Sequence, residues 1–189
     1  MNRARERAID ELLVLRCQAG DQKGFDLLVH RWQRPIWRHA RRLTGCDTAA
    51  WDVTQEVWLA VLAQLRRLQD PAWFAAWLFR IVRNKSADHV RRAERQRILR
   101  QDAAEHAAVR AGAPLDPSAA QERRETHALV AAALAQLPPE SRELLTLRYE
   151  ADLSTLELAV VLGIPAGTVK SRLHEAREQL KRILKGVCT

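Results

Sequence analysis

The chain has little of what would interrupt a helix or staple a small fold. Glycine and proline number seven each in 189 residues, so few positions call for a positive φ or lack an amide donor. Cysteine is limited to three, Cys17, Cys46 and Cys188. Their number is odd, their spacing is wide, and no Cys-x-x-Cys pair or Cys/His cluster accompanies them. A disulfide framework and a structural zinc site are thereby excluded as organising devices, and a reducing cytoplasm is the expected setting. No apolar run approaches the ~18 residues of a membrane span, so no direct membrane insertion is expected. The N-terminal Met1-Asn2-Arg3-Ala4-Arg5-Glu6-Arg7 leads into an amphipathic segment containing acids, which is not the pattern of a signal peptide. There is no Gly-x-x-x-x-Gly-Lys-Ser/Thr phosphate loop, no internal repeat and no low-complexity tract.

What is present is dominated by Ala, Leu, Arg, Glu and Gln, all good helix formers, and the fold class expected is all-α. The formal charge is +8 and the isoelectric point about 10.2, which suits a polyanionic partner without naming one.

Periodicity divides the chain into two small helical domains, residues 1–99 and 127–189, joined by a flexible linker at 100–126. Asp10 to Ala19 reads as a helix with Leu12, Leu13 and Leu15 apolar and Gly20 as its cap. Asp21 can cap the next helix, which carries Phe25, Leu28, Val29, Trp32, Ile36 and Leu43 and which Pro35 should kink or split. Trp51 to Leu68 places Val53, Val57, Val61, Leu65 and Leu68 on one stripe, with Trp58 and Leu62 beside it. Asp70-Pro71 reads as an N-cap followed by proline at the first helical position. The helix it opens continues to about Arg97. In the linker, Gly112, Pro114 and Pro117 stand among scattered acids. Beyond it, Leu129 to Leu137 forms a helix ended by Pro138-Pro139, and Glu140 to Glu150 forms the next.

The most informative stretch follows, from Leu153 to Arg177. Ser154 and Glu157 have capping-box spacing, Ala159 is small where two helices approach, and Gly163 stands where a tight turn needs positive φ. Ile164 and Val169 pin the second helix, and Leu173, Ala176 and Leu180 face inward with Val169. The combination reads as a helix-turn-helix for the DNA major groove. Lys170, Ser171, His174 and Arg177 face outward, and Arg172 lies at the flank, within reach of phosphate. Glu175 is the odd member. It either accepts from cytosine N4, repels phosphate, or is a solvated flank residue.

Two features of the first domain remain. Asp52, Gln55 and Glu56 share a helix face opposite the apolar stripe. By residue type alone, these are ordinary solvated acids near a helix start, where the dipole favours them. The helix after Pro71 joins tryptophans to arginines. Arg80, Arg83, Lys85, Arg91, Arg92, Arg95, Arg97 and Arg100 outnumber Asp88 and Glu94 by eight to two. Aromatics followed by cations suit single-stranded nucleic acid. Phe74 and Trp77 match the core stripe, whereas Trp73 beside the loop is open to a base, and Asn84 can donate and accept.

Four ordered motifs carry a resemblance: Val53-Thr-Gln-Glu-Val-Trp58, Trp73-Phe-Ala-Ala-Trp-Leu-Phe-Arg-Ile-Val-Arg-Asn84, Leu137-Pro-Pro-Glu-Ser-Arg-Glu143, and Gly167-Thr-Val-Lys-Ser-Arg-Leu173. Together they resemble bacterial extracytoplasmic-function (ECF) sigma factors over nearly the whole chain. The resemblance implies a sigma-two and a sigma-four domain, no catalytic chemistry, and neither cofactor nor metal. It implies core RNA polymerase, through its β′ clamp helices and β flap, and promoter DNA as partners, with an anti-sigma factor as regulator. Asp52, Gln55 and Glu56 correspond to the clamp-docking surface, which reverses the bland reading above. The loop from Leu68 to Trp73 corresponds to the one that captures an extruded base of the −10 element. Trp73, Arg80, Arg83, Asn84, Lys85 and Arg91 correspond to −10 contacts, and Thr168, Lys170, Ser171, Arg172, His174, Glu175 and Arg177 to the −35 reader. The chain departs from the pattern at three places. The −10 loop is short and holds Pro71, Pro35 interrupts a helix that relatives keep continuous, and Glu175 stands where many relatives carry a basic residue. No further domain is expected after Lys185, so sensing falls to the partner. The competing readings are a dimeric helix-turn-helix regulator acting without polymerase and a metal-dependent nucleic-acid enzyme built on Asp52 and Glu56. The first lacks a heptad dimerisation helix, the second further convergent ligands.

Overall fold

The structure, a computed structural model, describes residues 3–101 and 130–187. Within these, every regular element is helical. Residues 102–126 of the expected linker, the expected helix start around Leu129, and Cys188 lie outside the described residues. The chain divides into two compact units, Met1–Ala113 and Pro114–Thr189.

The first unit is a four-helix assembly: α1 (Arg3–Gln18), α2 (Gln22–Thr44), α3 (Asp47–Gln64) and α4 (Phe74–Gln101). Helix α1 ends in a left-handed turn at Gly20 (φ 89°). There the amide of Gly20 bonds the carbonyl of Cys17 and that of Asp21 bonds the carbonyl of Arg16, each at 3.0 Å. This paired arrangement satisfies carbonyls that the helix end would otherwise leave open. Asp21 then caps α2 by accepting from the Gly24 amide at 3.2 Å.

Helix α1 differs from its expected form in two ways. It begins at Arg3 instead of Asp10, and Leu12 and Leu15 are exposed while Leu13 and Val14 are buried. Both differences follow from Arg31 on α2. Its guanidinium pairs with Glu6 and donates from Nε to Asp10 at 2.6 Å, and Trp32 Nε1 donates to the same Asp10 oxygen at 2.9 Å. These polar ties hold the first turns helical and set which face of α1 turns inward. A count of apolar residues does not register them.

Pro35 neither splits nor ends α2, which runs unbroken through it. A proline inside a helix costs roughly 3 kcal/mol. Burial of Leu28 and Ile36, both fully enclosed, returns about 1.5–3 kcal/mol each, and Trp32, His39 and Ala40 are buried on the same helix. Packing outweighs the lost hydrogen bond.

The core of this unit joins Val53, Val57 and Val61 of α3 to Leu78 and Val82 of α4, all fully buried. Trp32 meets Phe74 and Phe79 edge to face, each at a centroid separation of 5.9 Å. Helix α3 starts four residues before the expected Trp51, and its last turn tightens into a 3₁₀ segment, Leu65–Arg67. Leu62, expected beside the core stripe, faces solvent with Leu59 and Trp51. Asp70 caps the 3₁₀ turn Pro71–Trp73 that leads into α4.

The second unit comprises α5 (residues 130–135), α6 (Pro139–Tyr149), α7 (Thr155–Leu162) and α8 (Ala166–Val187). Its core is Leu144, Leu145 and Leu147 of α6, Leu158 and Val161 of α7, and Val169, Leu173 and Ala176 of α8, with Leu153 between α6 and α7. Arg142 ties α5 to α6 by donating to the carbonyls of Leu134 (2.9 Å), Ala135 (2.6 Å) and Leu137 (3.0 Å).

Candidate nucleic-acid interface

The turn between α7 and α8 is built from its residues as the helix-turn-helix pattern predicts. Ser154 Oγ accepts from the Glu157 amide at 3.2 Å, and the Glu157 carboxylate accepts from the Ser154 amide at 2.6 Å. Two open donors at the start of α7 are thus satisfied reciprocally. Gly163 adopts φ 69° and bonds back to Ala159 at 2.9 Å, a conformation that a side chain would disfavour. Three residues later α8 begins, with Val169, Leu173 and Ala176 sealed against the core. Leu180 and Ile164 are half-buried.

The opposite face of α8 is open. Lys170, Ser171, Arg172, His174, Glu175 and Arg177 are exposed and Thr168 is half-buried. Ser171 Oγ donates to the Thr168 carbonyl at 3.0 Å. Arg172 reaches sideways to Glu140 of α6 at 3.3 Å, in keeping with a flank position. Arg177 Nε donates to the hydroxyl of Tyr149 at 2.9 Å. Glu175 has no hydrogen bond or ion pair among the described residues. Tyr149 and Glu140 were not visible as part of this face from the sequence, because both lie on α6, some thirty residues away.

In the first unit α4 sorts its cations by direction. Arg80, Asn84 and Arg91 are exposed and lie on one face at spacings of four and seven. Arg91 is locally compensated by Asp88 at 2.6 Å. Arg83 is half-buried. Lys85 points elsewhere, toward α3, where its ammonium stands 3.3 Å from Glu56. Arg92, one heptad on, holds the other Glu56 oxygen at 2.9 Å. The partial burial of Glu56 would raise its pKa, but hydrogen bonds from Arg92 and Lys85 outweigh that and hold the carboxyl below its ordinary value. Asp52 and Gln55, the other two residues of the acidic face, are exposed. The three therefore share a helix face, but Glu56 is already engaged by α4. Leu59 and Leu62 continue the face of Asp52 and Gln55 down α3 as an exposed apolar strip.

The loop before α4 is held rigidly. Gln18 of α1 donates to the carbonyls of Leu65 (3.0 Å) and Leu68 (2.8 Å). Asp70 accepts from the Ala72 amide at 2.9 Å, and Trp73 closes the turn through its amide to Asp70 at 3.1 Å. Trp73 sits at its end, 36% exposed, while Phe74 is sealed in the core and Trp77 is half-buried. Gln18 carries no motif that would have marked it beforehand.

Two helical units, one presenting a basic helix after a pinned aromatic loop and the other a helix-turn-helix, define a two-part nucleic-acid-binding protein. The Sigma-70 region 2 family matches residues 28–96 and the Sigma-70 region 4 family matches residues 127–180. The chain is 34% identical over 180 residues to the RNA polymerase sigma-H factor of Pseudomonas aeruginosa, covering 93% of each. It is 32% identical over 180 residues to the ECF RNA polymerase sigma-E factor of Escherichia coli K12, covering 93% of this chain and 94% of that one. Among solved structures, CnrH in complex with the cytosolic domain of CnrY matches with a TM-score of 0.63 at 28% identity, over 94% of this chain and 98% of that one. The fold is also that of the sigma factor RpoE from Bartonella quintana, solved with the anti-sigma factor NepR (TM-score 0.66, 24% identity, 86% of this chain and 98% of that one). The chain belongs to the ECF RNA polymerase sigma factors. It is accordingly a non-enzymatic transcription initiation factor, which sets aside both the nuclease reading of Asp52 and Glu56 and the polymerase-independent regulator. None of the described helices is long and apolar enough to cross a membrane.

Proposed function

We propose that the two units divide promoter recognition between them, residues 1–99 and 127–189 acting as the sigma-two and sigma-four domains. In this reading α8 reads the −35 element with Lys170, Ser171, His174, Glu175 and Arg177, while Thr168 and Arg172 meet the backbone. Trp73 and the pinned loop receive an extruded −10 base, and Arg80, Arg83, Asn84 and Arg91 follow the opened strand along α4. Lys85 joins them from the side that faces Glu56. Extrusion costs a few kcal/mol, and a preorganised loop lowers the further cost of ordering the protein.

Asp52, Gln55 and Glu56 dock on the β′ clamp helices, the second unit meets the β flap, and an anti-sigma factor competes for these surfaces in the cytoplasm. Support for the last point comes from CnrH, whose structure is a complex with the cytosolic domain of CnrY. The observation that carries the reading is the exposed Lys170–Arg177 face, backed by the buried Val169, Leu173 and Ala176 and fixed by the Gly163 turn.

Run-off transcription over a genomic template library, with core polymerase alone and with this protein added, tests it. Discrete new transcripts sharing two upstream elements are expected. An unchanged transcript pattern would overturn the reading.

A further inference from the structure

Arg177 has one side-chain partner among the described residues, and that partner lies outside the helix-turn-helix. Its Nε donates to the hydroxyl of Tyr149 at 2.9 Å. Its Cζ stands 5.8 Å from the centroid of the same ring, at the outer edge of the ~6 Å range in which a ring attracts a cation. The hydroxyl is therefore the principal contact. Tyr149 is the last residue of α6 and is 62% exposed, so its ring adds little to the core of the unit. A tyrosine left this open, with its one polar atom spent on an outward-facing arginine, is better explained by what it does to that arginine than by packing.

We propose that Tyr149 is a positioning residue for −35 recognition. It holds the guanidinium of Arg177 so that Nη1 and Nη2 face the DNA. The proposal rests on the reading of α8 as the −35 reader.

Arginine can approach a pair of acceptors side-on, through Nε and one Nη, or end-on, through both Nη groups. The bond to Tyr149 occupies Nε and leaves the end-on pair. A free arginine samples many rotamers and loses that freedom on binding. A tyrosine has only two torsions and stands here on a helix, so it fixes the arginine before DNA arrives. The acceptors are either two phosphate oxygens or O6 and N7 of a guanine, both of which arginine bonds in pairs.

The test uses full-length protein assembled with core polymerase and a labelled promoter duplex that the holoenzyme transcribes. Dissociation constants are measured against salt concentration for the wild type, Tyr149→Phe, Arg177→Ala and the double variant. Arg177→Ala should weaken binding about tenfold, in the lower part of the range for loss of one arginine contact to a base. Tyr149→Phe, which removes one oxygen and keeps the ring, should weaken it about threefold to fivefold with thermal melting unchanged. In the Arg177→Ala background the same change should have no further effect.

If Arg177 meets phosphate, its loss lowers the salt slope by about one; if it meets guanine, preference relaxes at one upstream base pair with the slope nearly unchanged. Tyr149→Phe should shift the same observable in the same direction. Wild-type affinity for Tyr149→Phe beside a weakened Arg177→Ala would overturn the positioning role alone. So would an equal loss from Tyr149→Phe in both backgrounds, because Tyr149 would then act independently of Arg177. Wild-type affinity for Arg177→Ala would remove Arg177 from the −35 reader and the positioning role with it.

Discussion

Asp10 shows how much one side chain decides in this protein. It is 9% exposed, and it accepts from Arg31 Nε at 2.6 Å and Trp32 Nε1 at 2.9 Å. Burial, the largest influence, pushes its carboxyl above the ordinary value despite these two donors. The site is therefore costly to form and costlier to break. Replacing Asp10 by Ala leaves the Trp32 indole N–H without its acceptor and the half-buried Arg31 guanidinium with Glu6 as its remaining acidic partner. The expected loss is about 2–4 kcal/mol, at or below the range for halving a buried ion pair because Arg31 keeps some solvent. Asp10→Asn retains one acceptor oxygen and should lose less. Urea denaturation gives both values, and equal midpoints for wild type and Asp10→Ala would refute this account of the α1–α2 joint. Asp10 was also where periodicity misled. Leu12 and Leu15 stood among the apolar residues that marked the helix, yet both are exposed, and the inward face of α1 is set by a carboxylate whose partners lie 21 and 22 residues on. No local pattern encodes a contact of that range.

At the scale of elements, the α3–α4 pairing joins two surfaces that the sequence presented as separate. Glu56 was grouped with Asp52 and Gln55 by helical spacing, and Lys85 with Arg80 and Asn84 by its place on a basic helix. In the folded unit Glu56 and Lys85 are partners, with Arg92 as the third member. The clue was present, since Lys85 and Arg92 are seven apart and Arg80, Asn84 and Arg91 follow a different stripe. Only the position of α3 gives that spacing a meaning. Charge reversal should therefore separate the two roles. Asp52→Lys should weaken core-polymerase binding on the order of tenfold with folding stability unchanged, since rim charges act on association more than on the fold. Glu56→Lys should weaken both, because it sets a third cation beside Lys85 and Arg92. The more modest Glu56→Gln should cost at most about 1 kcal/mol, the scale of a partly exposed ion pair. That contribution depends on pH in a defined direction. The folded-state pKa of Glu56 lies below its ordinary 4.5. Its stabilisation is therefore complete above that value and disappears as pH falls through the folded-state value. The stability difference between wild type and Glu56→Gln should be constant near neutrality and vanish in acid. A difference that persists in acid would contradict the assignment, as would unchanged core affinity for Asp52→Lys.

For the whole molecule, the all-α class, the two helical units and the helix-turn-helix were legible because each rests on local rules: helix-forming composition, a capping box, and a glycine at positive φ. The continuity of α2 through Pro35, the pinning of the loop before α4 by Gln18 and the contact of Arg177 with Tyr149 were not. Each depends on which helix packs against which. A chain of this charge, +8 overall, binds DNA of any sequence to some degree through counterion release. In the proposed reading, specificity comes from the exposed side chains of α8 and from contacts of the opened strand along α4. Glu175 is the position where this is sharpest, an exposed acid beside Ser171 and Arg172 on the solvent side of α8, with no hydrogen bond or ion pair among the described residues. The most direct measurement is the set of promoters that the holoenzyme selects from a randomised library, with wild-type protein and with Glu175→Arg. The account predicts a changed base preference confined to the upstream −35 element and an unaltered −10 preference. An identical upstream preference in the two proteins, or a shift in the −10 element, would contradict it.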